Sequence, residues 1–371
     1  MHLINIAADH MLHIADQFDF AGEIISLEPF GCGHINDTYL IKALQEGRQF
    51  KYLLQRINHK VFTSPINVVK NIEKVTSHLQ KKIAEAGGDT SRETLTFIPT
   101  KKGLNFYISD SGDFFRVYKY ISHTVTYQRV ENPMLFYHSG KAFGKFQRML
   151  ADFDASQLYE TLPNFHDTRK RYAALMTSAE CNIKSRAEWC AAELDFAAQR
   201  RDIMSILLQL KESGKIPERV THNDTKLNNV MLDEKTGEGV CVVDLDTVMP
   251  GLSLYDFGDS IRFGANTAAE DERDLSKVGL DLELFEYYTR GYLSETGDML
   301  NETEKDCLPF SALLMTLECG MRFLTDYLDG DIYFKTDYAE HNLDRCRNQF
   351  RLAEDMENNL DKMRQIVNKY R

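Results

Sequence analysis

The nonapeptide Thr221-His222-Asn223-Asp224-Thr225-Lys226-Leu227-Asn228-Asn229 sets a histidine, an aspartate and an asparagine at the H-x-D-x-x-x-x-N spacing of a kinase catalytic loop. Two apolar runs follow, on either side of Asp233-Glu234-Lys235-Thr236-Gly237, and predict a β-hairpin over 230–243. Its second strand runs into Asp244. Transfer of a phosphoryl group to an alcohol needs a carboxylate that orients the hydroxyl and takes its proton. It also needs oxygen ligands that hold magnesium against the nucleotide phosphates. Asp224 suits the first task. Asn229 can offer an amide oxygen to a cation that takes few carboxylates, and Asp244 can bridge metal and phosphates. Lys226 can offset charge that builds on the transferring group. The plainer alternative is a polar loop whose Asn and Asp side chains only satisfy turn amides. The order Asp224, Asn229, Asp244 around a hairpin weighs against it.

The tripeptide Asp256-Phe257-Gly258 competes for the metal, because protein kinases use an Asp-Phe-Gly aspartate there. One hairpin spans the interval from Asp224 to Asp244, whereas Asp256 lies beyond Met249-Pro250-Gly251, which reads as a turn. The metal is therefore assigned to Asp244, with Asp246 as a possible second-metal ligand. Asp256 is expected to start a helix and to cap or hydrogen-bond the catalytic loop from behind.

The surrounding elements divide by type. Glu23–Pro29, Thr38–Leu44 and Phe50–Ile57 read as strands, the last two joined by Gln45-Glu46-Gly47-Arg48. A helix is expected over 65–86, then strands over 104–109 and 114–121 around Asp110-Ser111-Gly112-Asp113. Helical periodicity dominates afterwards, over 133–153, 188–212, 282–293 and the last hundred residues. This is an α+β chain, with a sheet-rich nucleotide-binding lobe (1–121) and a mostly helical catalytic and substrate-binding lobe (122–371).

In the first lobe, Gly31-Cys32-Gly33 between two strands could cradle phosphates with backbone amides, although any tight turn uses glycine too. Gln55 stands where a protein kinase carries its strand-three lysine. Either Arg56 or Lys51 substitutes, or metal and loop amides hold the phosphates. Glu73 is the natural helix partner for such a cation, and an exposed helix acid is its plainer reading.

The net charge of −12 argues against nucleic acid as a main partner. The apolar runs are short, which predicts no bilayer span, and the N-terminus lacks a signal-peptide pattern. Seven cysteines without CxxC spacing suit free thiols in a reducing cytoplasm and give no support for structural zinc. No obligate protein partner is suggested.

The motifs EPFGCGHINDTYLI, RVYKYISHTVTY, FDASQLYETLPNFHDT, VTHNDTKLNN, DLDTVMPG, YDFGDSIRFGA and LECGMRFLTDYLDGDIYF give the chain, from Glu28 to Asp355, a resemblance to the aminoglycoside phosphotransferase-like kinases. Within that superfamily it most resembles the bacterial N-acetylhexosamine 1-kinases. The resemblance implies a bilobal protein-kinase-like fold. It also implies ATP- and Mg2+-dependent phosphorylation of the anomeric hydroxyl of N-acetylglucosamine or N-acetylgalactosamine. By position it implies Asp224 as base, Asn229 and Asp244 on magnesium, and a sugar held by His34, Asp224, Lys226, Arg322 and Tyr333. Adenine would dock on the backbone near Tyr120 to Ser122.

Without the resemblance the sugar residues read differently. Arg322 lies four residues from both Glu318 and Asp326, the spacing of a helix-surface ion pair. His34 reads as a turn residue, Tyr333 as a core aromatic, and His166-Asp167-Thr168 as a helix start. Two other functions compete. One is the same chemistry on an aminoglycoside, choline or homoserine, but a cationic acceptor calls for carboxylates and rings, and Arg322, Lys226 and His34 would repel it. The other is a non-catalytic nucleotide-binding protein, which Gln55 favours.

Overall fold

The structure, a computed structural model, describes residues 10–31 and 35–371. Gly33 and His34, both assigned above, lie outside the described residues. Two compact units divide the chain. The smaller takes residues up to Thr124 together with Ser156–Leu162 and Val240–Val248; the larger takes Val125–Ala155, Pro163–Gly239 and Met249–Arg371.

The smaller unit is built on an antiparallel sheet. Strands β1 (Glu23–Pro29), β2 (Asp37–Gln45), β3 (Arg48–Ile57), β4 (Phe97–Ile98), β5 (Tyr107–Ile108) and β6 (Phe114–Lys119) run in the order β1-β2-β3-β6-β4, with β5 on β6. Glu46 and Gly47 sit at φ 50° and 77°, the two positive angles that a tight hairpin between right-twisted strands requires. That turn sets the β2–β3 register, in which Gln55 faces Thr38, and on its other side β3 pairs with β6 so that Gln55 faces Arg116. The strand expected over 104–109 shrinks to Tyr107–Ile108. Gly103, at φ 81°, is bonded back to Thr100 together with Leu104, so the chain is still turning there.

Helix α1 (Pro65–Glu85) starts on a proline and buries Val68, Val69, Ile72, Val75, Leu79 and Ile83 at helical spacing. Asn71 shares that face and is fully buried. Its Nδ2 donates to the carbonyls of Tyr159 and Val248, and its Oδ1 accepts from Tyr159 N–H. One side chain thereby ties both distant segments into the smaller unit. The apolar core joins Ile14 and Phe18 to Ile41, Leu54, Phe115 and Val117 of the sheet.

The larger unit is helical: α2 (Pro133–Met149), α3 (Thr168–Cys181), α4 (Ala191–Gln199), α5 (Ile206–Glu212), α6 (Ser253–Gly264), α7 (Leu282–Thr296), α8 (Glu302–Asp329) and α9 (His341–Tyr370). The helix expected over 188–212 is broken between α4 and α5. There the Arg200 guanidinium lies 3.4 Å over the Phe196 ring and grips both carboxylate oxygens of Glu357. By length and composition α8 could cross a bilayer, contrary to the expectation from short runs. It is mostly buried, as the core helix of its unit.

After β7 (Thr124–Val125), the strands β8 (Arg219–Thr221), β9 (Val230–Asp233), β10 (Gly239–Val242) and β11 (Met249–Gly251) bracket residues 222–229. The turn predicted between β9 and β10 is present: Gly237 N–H bonds Asp233 O, and the Asp233 carboxylate takes the amides of Lys235 and Thr236. Met249-Pro250-Gly251 is not the turn expected but a short strand antiparallel to β8. A Cβ at Gly251 would collide with Thr221 Oγ1, so glycine is what permits the approach.

Candidate active site

In the larger unit, β8 feeds residues 222–229 across the start of α6. Asp256, in the first turn of that helix, is 0% exposed. Its Oδ2 accepts His222 N–H at 2.9 Å and Gln147 Nε2 at 2.7 Å, and its Oδ1 accepts Asn223 N–H at 2.8 Å. Tyr292 O–H in turn donates to Gln147 Oε1. Burial pushes the Asp256 carboxyl pKa up, and His222 and the three donors limit the rise. One helical turn later, Asp259 Oδ2 accepts Thr225 N–H, while Thr225 Oγ1 donates to Asp256 O. The Asp-Phe-Gly aspartate is thus spent on holding the loop from behind, as its place in the sequence suggested.

In that loop Asp224, Lys226 and Asn229 come together. Lys226 Nζ lies 2.8 Å from Asp224 Oδ1. Asn229 Nδ2 donates to Asp224 O at 2.8 Å and to Asp224 Oδ2 at 3.2 Å. Burial alone would raise the Asp224 pKa, but the Lys226 ammonium, helped by His222 and Asn229, outweighs it and holds the carboxyl below its usual value. Asp224 in turn raises the Lys226 pKa. Asn229 spends its NH2 on Asp224, so its Oδ1 is left without a donor among the described residues. An uncommitted hard oxygen beside a carboxylate suits magnesium.

In the smaller unit, Asp244 follows β10 in the left-handed region at φ 60°, ψ 55°, a conformation that few residues other than Gly, Asn and Asp adopt. Asp246, 3% exposed, lies 2.5 Å from Arg116 Nη1 and accepts Asn36 Nδ2 at 2.6 Å. Arg116 also donates from Nε and Nη2 to Gln55 Oε1, at 3.0 and 2.9 Å. Burial alone would lower the Arg116 pKa; Asp246, with a contribution from Asp244, more than reverses this. Neither substitute cation suggested for position 55 is close-packed: Arg56 pairs with Asp37 near the surface, and Lys51 lies over the Tyr120 ring. Glu73 is half-buried and accepts from Asn105 Nδ2 rather than pairing with a cation. Gly31 sits at φ 80° with open space where a Cβ would be. Tyr120 N–H bonds Lys51 O, and Ser122 O accepts a long contact from Arg92.

Elsewhere in the larger unit, Arg322 and Tyr333 are neighbours. The Arg322 guanidinium carbon lies 5.0, 5.6 and 5.9 Å from the ring centres of Phe165, Phe334 and Tyr333. The helix-surface ion pair read from spacing does not form. Glu318 binds His166 Nδ1 at 2.8 Å, and Asp326 accepts the backbone amides of residues 332–334. Among the described residues no carboxylate pairs with Arg322. Tyr333 is 55% exposed and therefore not a core aromatic. His166 and Asp167 do precede a helix, with Asp167 as N-cap. The sequence reading missed Arg116, Gln147, Phe165 and Phe334; only Asp259 carried a signal, as a further aspartate one helical turn after Asp256.

Residues 26–293 match the phosphotransferase enzyme family. Among solved structures, an aminoglycoside phosphotransferase from Alicyclobacillus acidocaldarius superposes with a TM-score of 0.63 at 13% identity, covering 96% of each chain. A spectinomycin phosphotransferase solved with ADP and spectinomycin gives 0.55 at 12% identity, covering 96% of this chain and 98% of that one. A choline kinase from Cryptosporidium parvum gives 0.51 at 12% identity, covering 93% and 92%. At these identities the likeness is one of fold, and it makes the α+β architecture kinase-like.

Proposed function

Because the chain belongs to the phosphotransferase enzyme family, we propose that it moves the terminal phosphoryl group of ATP to the anomeric hydroxyl of an N-acetylhexosamine, giving the sugar 1-phosphate. The observation that carries this reading is the state of Asp224: a carboxylate kept ionised by Lys226 and fixed by the Asn229 amide, on a loop anchored to a buried helix. Such a group orients an acceptor hydroxyl and takes its proton as the bond to phosphorus forms. Lys226 then screens the charge left on the transferring oxygens. Asn229 and Asp244 are the residues that would hold magnesium, and the ion would supply neutralisation of the phosphate charge. Gly31, with the backbone around Tyr120 and Ser122, takes the nucleotide; the ADP bound to the spectinomycin phosphotransferase is in keeping with a nucleotide donor.

The acceptor class rests on Arg322. A guanidinium ringed by three aromatic side chains, and without an acidic partner among the described residues, favours a neutral, hydroxyl-rich ligand, with the exposed Tyr333 available to a sugar ring. It disfavours a polycation or a quaternary amine, which is repelled by the guanidinium and needs carboxylates beside the rings. The test is magnesium-dependent phosphate transfer to N-acetylglucosamine and N-acetylgalactosamine, with the product position fixed by phosphorus NMR. Faster ADP release with kanamycin, choline or homoserine than with either sugar would overturn the acceptor assignment. Nucleotide binding with no transfer to any alcohol would overturn the enzyme itself.

A further inference from the structure

A protein kinase keeps a lysine on strand three, pairs it with an acid on the following helix, and presents it to the nucleotide phosphates. This chain has all three positions, filled differently. The strand-three residue is the neutral Gln55. The cation is Arg116, directly across from it in register on β6. The acid is Asp246, which follows β10, whereas the helix acid Glu73 is bonded to Asn105. We propose that Arg116 and Asp246 form a fixed buried ion pair that replaces the missing lysine as a support, and that Asp246 is a positioning residue rather than a second metal ligand.

Three observations carry this. First, Arg116 is 1% exposed, and its three nitrogens are committed: Nε and Nη2 to Gln55 Oε1, Nη1 to Asp246. Burial, rather than exhaustion of its five N–H groups, keeps this guanidinium from a phosphate. Second, both oxygens of Asp246 are engaged, one by the arginine and one by Asn36 Nδ2, in a carboxylate 3% exposed. The Arg116 contact is a close, buried charge pair. Third, Arg116 offsets the Asp246 charge at close range, which removes the attraction that would draw a divalent ion to that carboxylate. Gln55 follows from the same arrangement. A lysine there would set a second buried cation against Arg116, while glutamine accepts from Arg116 and donates to Thr38 Oγ1.

The proposal rests on the phosphotransferase reading but not on the identity of the acceptor. Calorimetric titration with ADP, with and without magnesium, tests it without turnover. Arg116→Lys and Asp246→Asn should each leave magnesium-free ADP affinity within about twofold and weaken magnesium–ADP binding by about tenfold or more, as loss of a ligand-orienting partner does. The double variant should be no weaker than either single one. Asn36→Ala, which spares the buried charge pair, should give a smaller loss of the same kind if the other two fold poorly. Equal weakening without magnesium would mean that Arg116 touches the phosphates. Losses that multiply in the double variant would mean that Asp246 binds metal independently. No change in any variant would leave the pair as core packing. Each of these three results overturns the proposal. If the wild-type chain bound no ADP at all, the underlying nucleotide reading would fail, an outcome distinct from all of them.

Discussion

Asp256→Asn separates a loop anchor from a metal ligand. In the structure two oxygens take three donors: His222 N–H and Gln147 Nε2 on one, Asn223 N–H on the other. An asparagine has a single acceptor oxygen. Placed at the doubly used position, it orphans the Asn223 amide and points its own NH2 at that donor; placed at the other, it orphans two donors. The milder case costs about 1–3 kcal/mol for one buried unsatisfied donor, plus about 1 kcal/mol as the two retained bonds lose their charge. A total of about 2–4 kcal/mol lowers Tm by roughly 5–10 °C in a unit of this size. Thermal unfolding followed by circular dichroism, without magnesium or nucleotide, measures it directly. Phosphate transfer should fall as well, because the backbone that presents Asp224 is no longer held. An unchanged Tm without magnesium, together with loss of the stabilisation that magnesium–ADP gives the wild type, would refute the anchor and return the Asp-Phe-Gly aspartate to the metal.

Other outcomes follow from the same geometry. Asp224→Asn should lower turnover by about 10²–10⁴, the range for a general base, with little change in Tm; near-normal turnover in an ADP-release assay would end its assignment. Lys226→Met removes the charge that keeps the Asp224 pKa low against burial. The base then needs a higher pH to ionise, so the acid limb of the kcat/KM profile should move upward, and an unmoved limb would contradict the coupling. Arg322→Ala should raise KM for an N-acetylhexosamine by about tenfold or more, the loss of one charged hydrogen bond, while KM for ATP stays unchanged.

Much of this was legible in the residues because it is local. The β2–β3 hairpin is marked by Gly47, which takes a positive φ without strain between two strand-like runs, whereas Glu46 carries no such signal. Helix α1 announces itself by its apolar spacing and its proline start, and Asp224, Asn229 and Asp256 by their intervals along the chain. What escaped depends on partners distant in sequence. An arginine in a strand reads as a solvent-facing position, and nothing near Arg116 indicates that its counter-ion lies at 246. Arg322 misled for the converse reason: its acids at helical spacing exist, but His166 and the 332–334 backbone claim them first. Met249-Pro250-Gly251 carries turn residues and still pairs as a strand, because β8 offers it an edge.

Arg116 also fixes the order in which the smaller unit can mature during synthesis. Its counter-ion leaves the ribosome about 130 residues later, a delay of roughly 7–26 s at about 5–20 residues per second. Until then the nascent sheet holds a guanidinium that it cannot bury without penalty. A fragment cut after Thr124 would keep that defect permanently, since it lacks both 156–162 and 240–248. The sheet of the smaller unit is made first and can be completed only after most of the helical unit's first half has been translated.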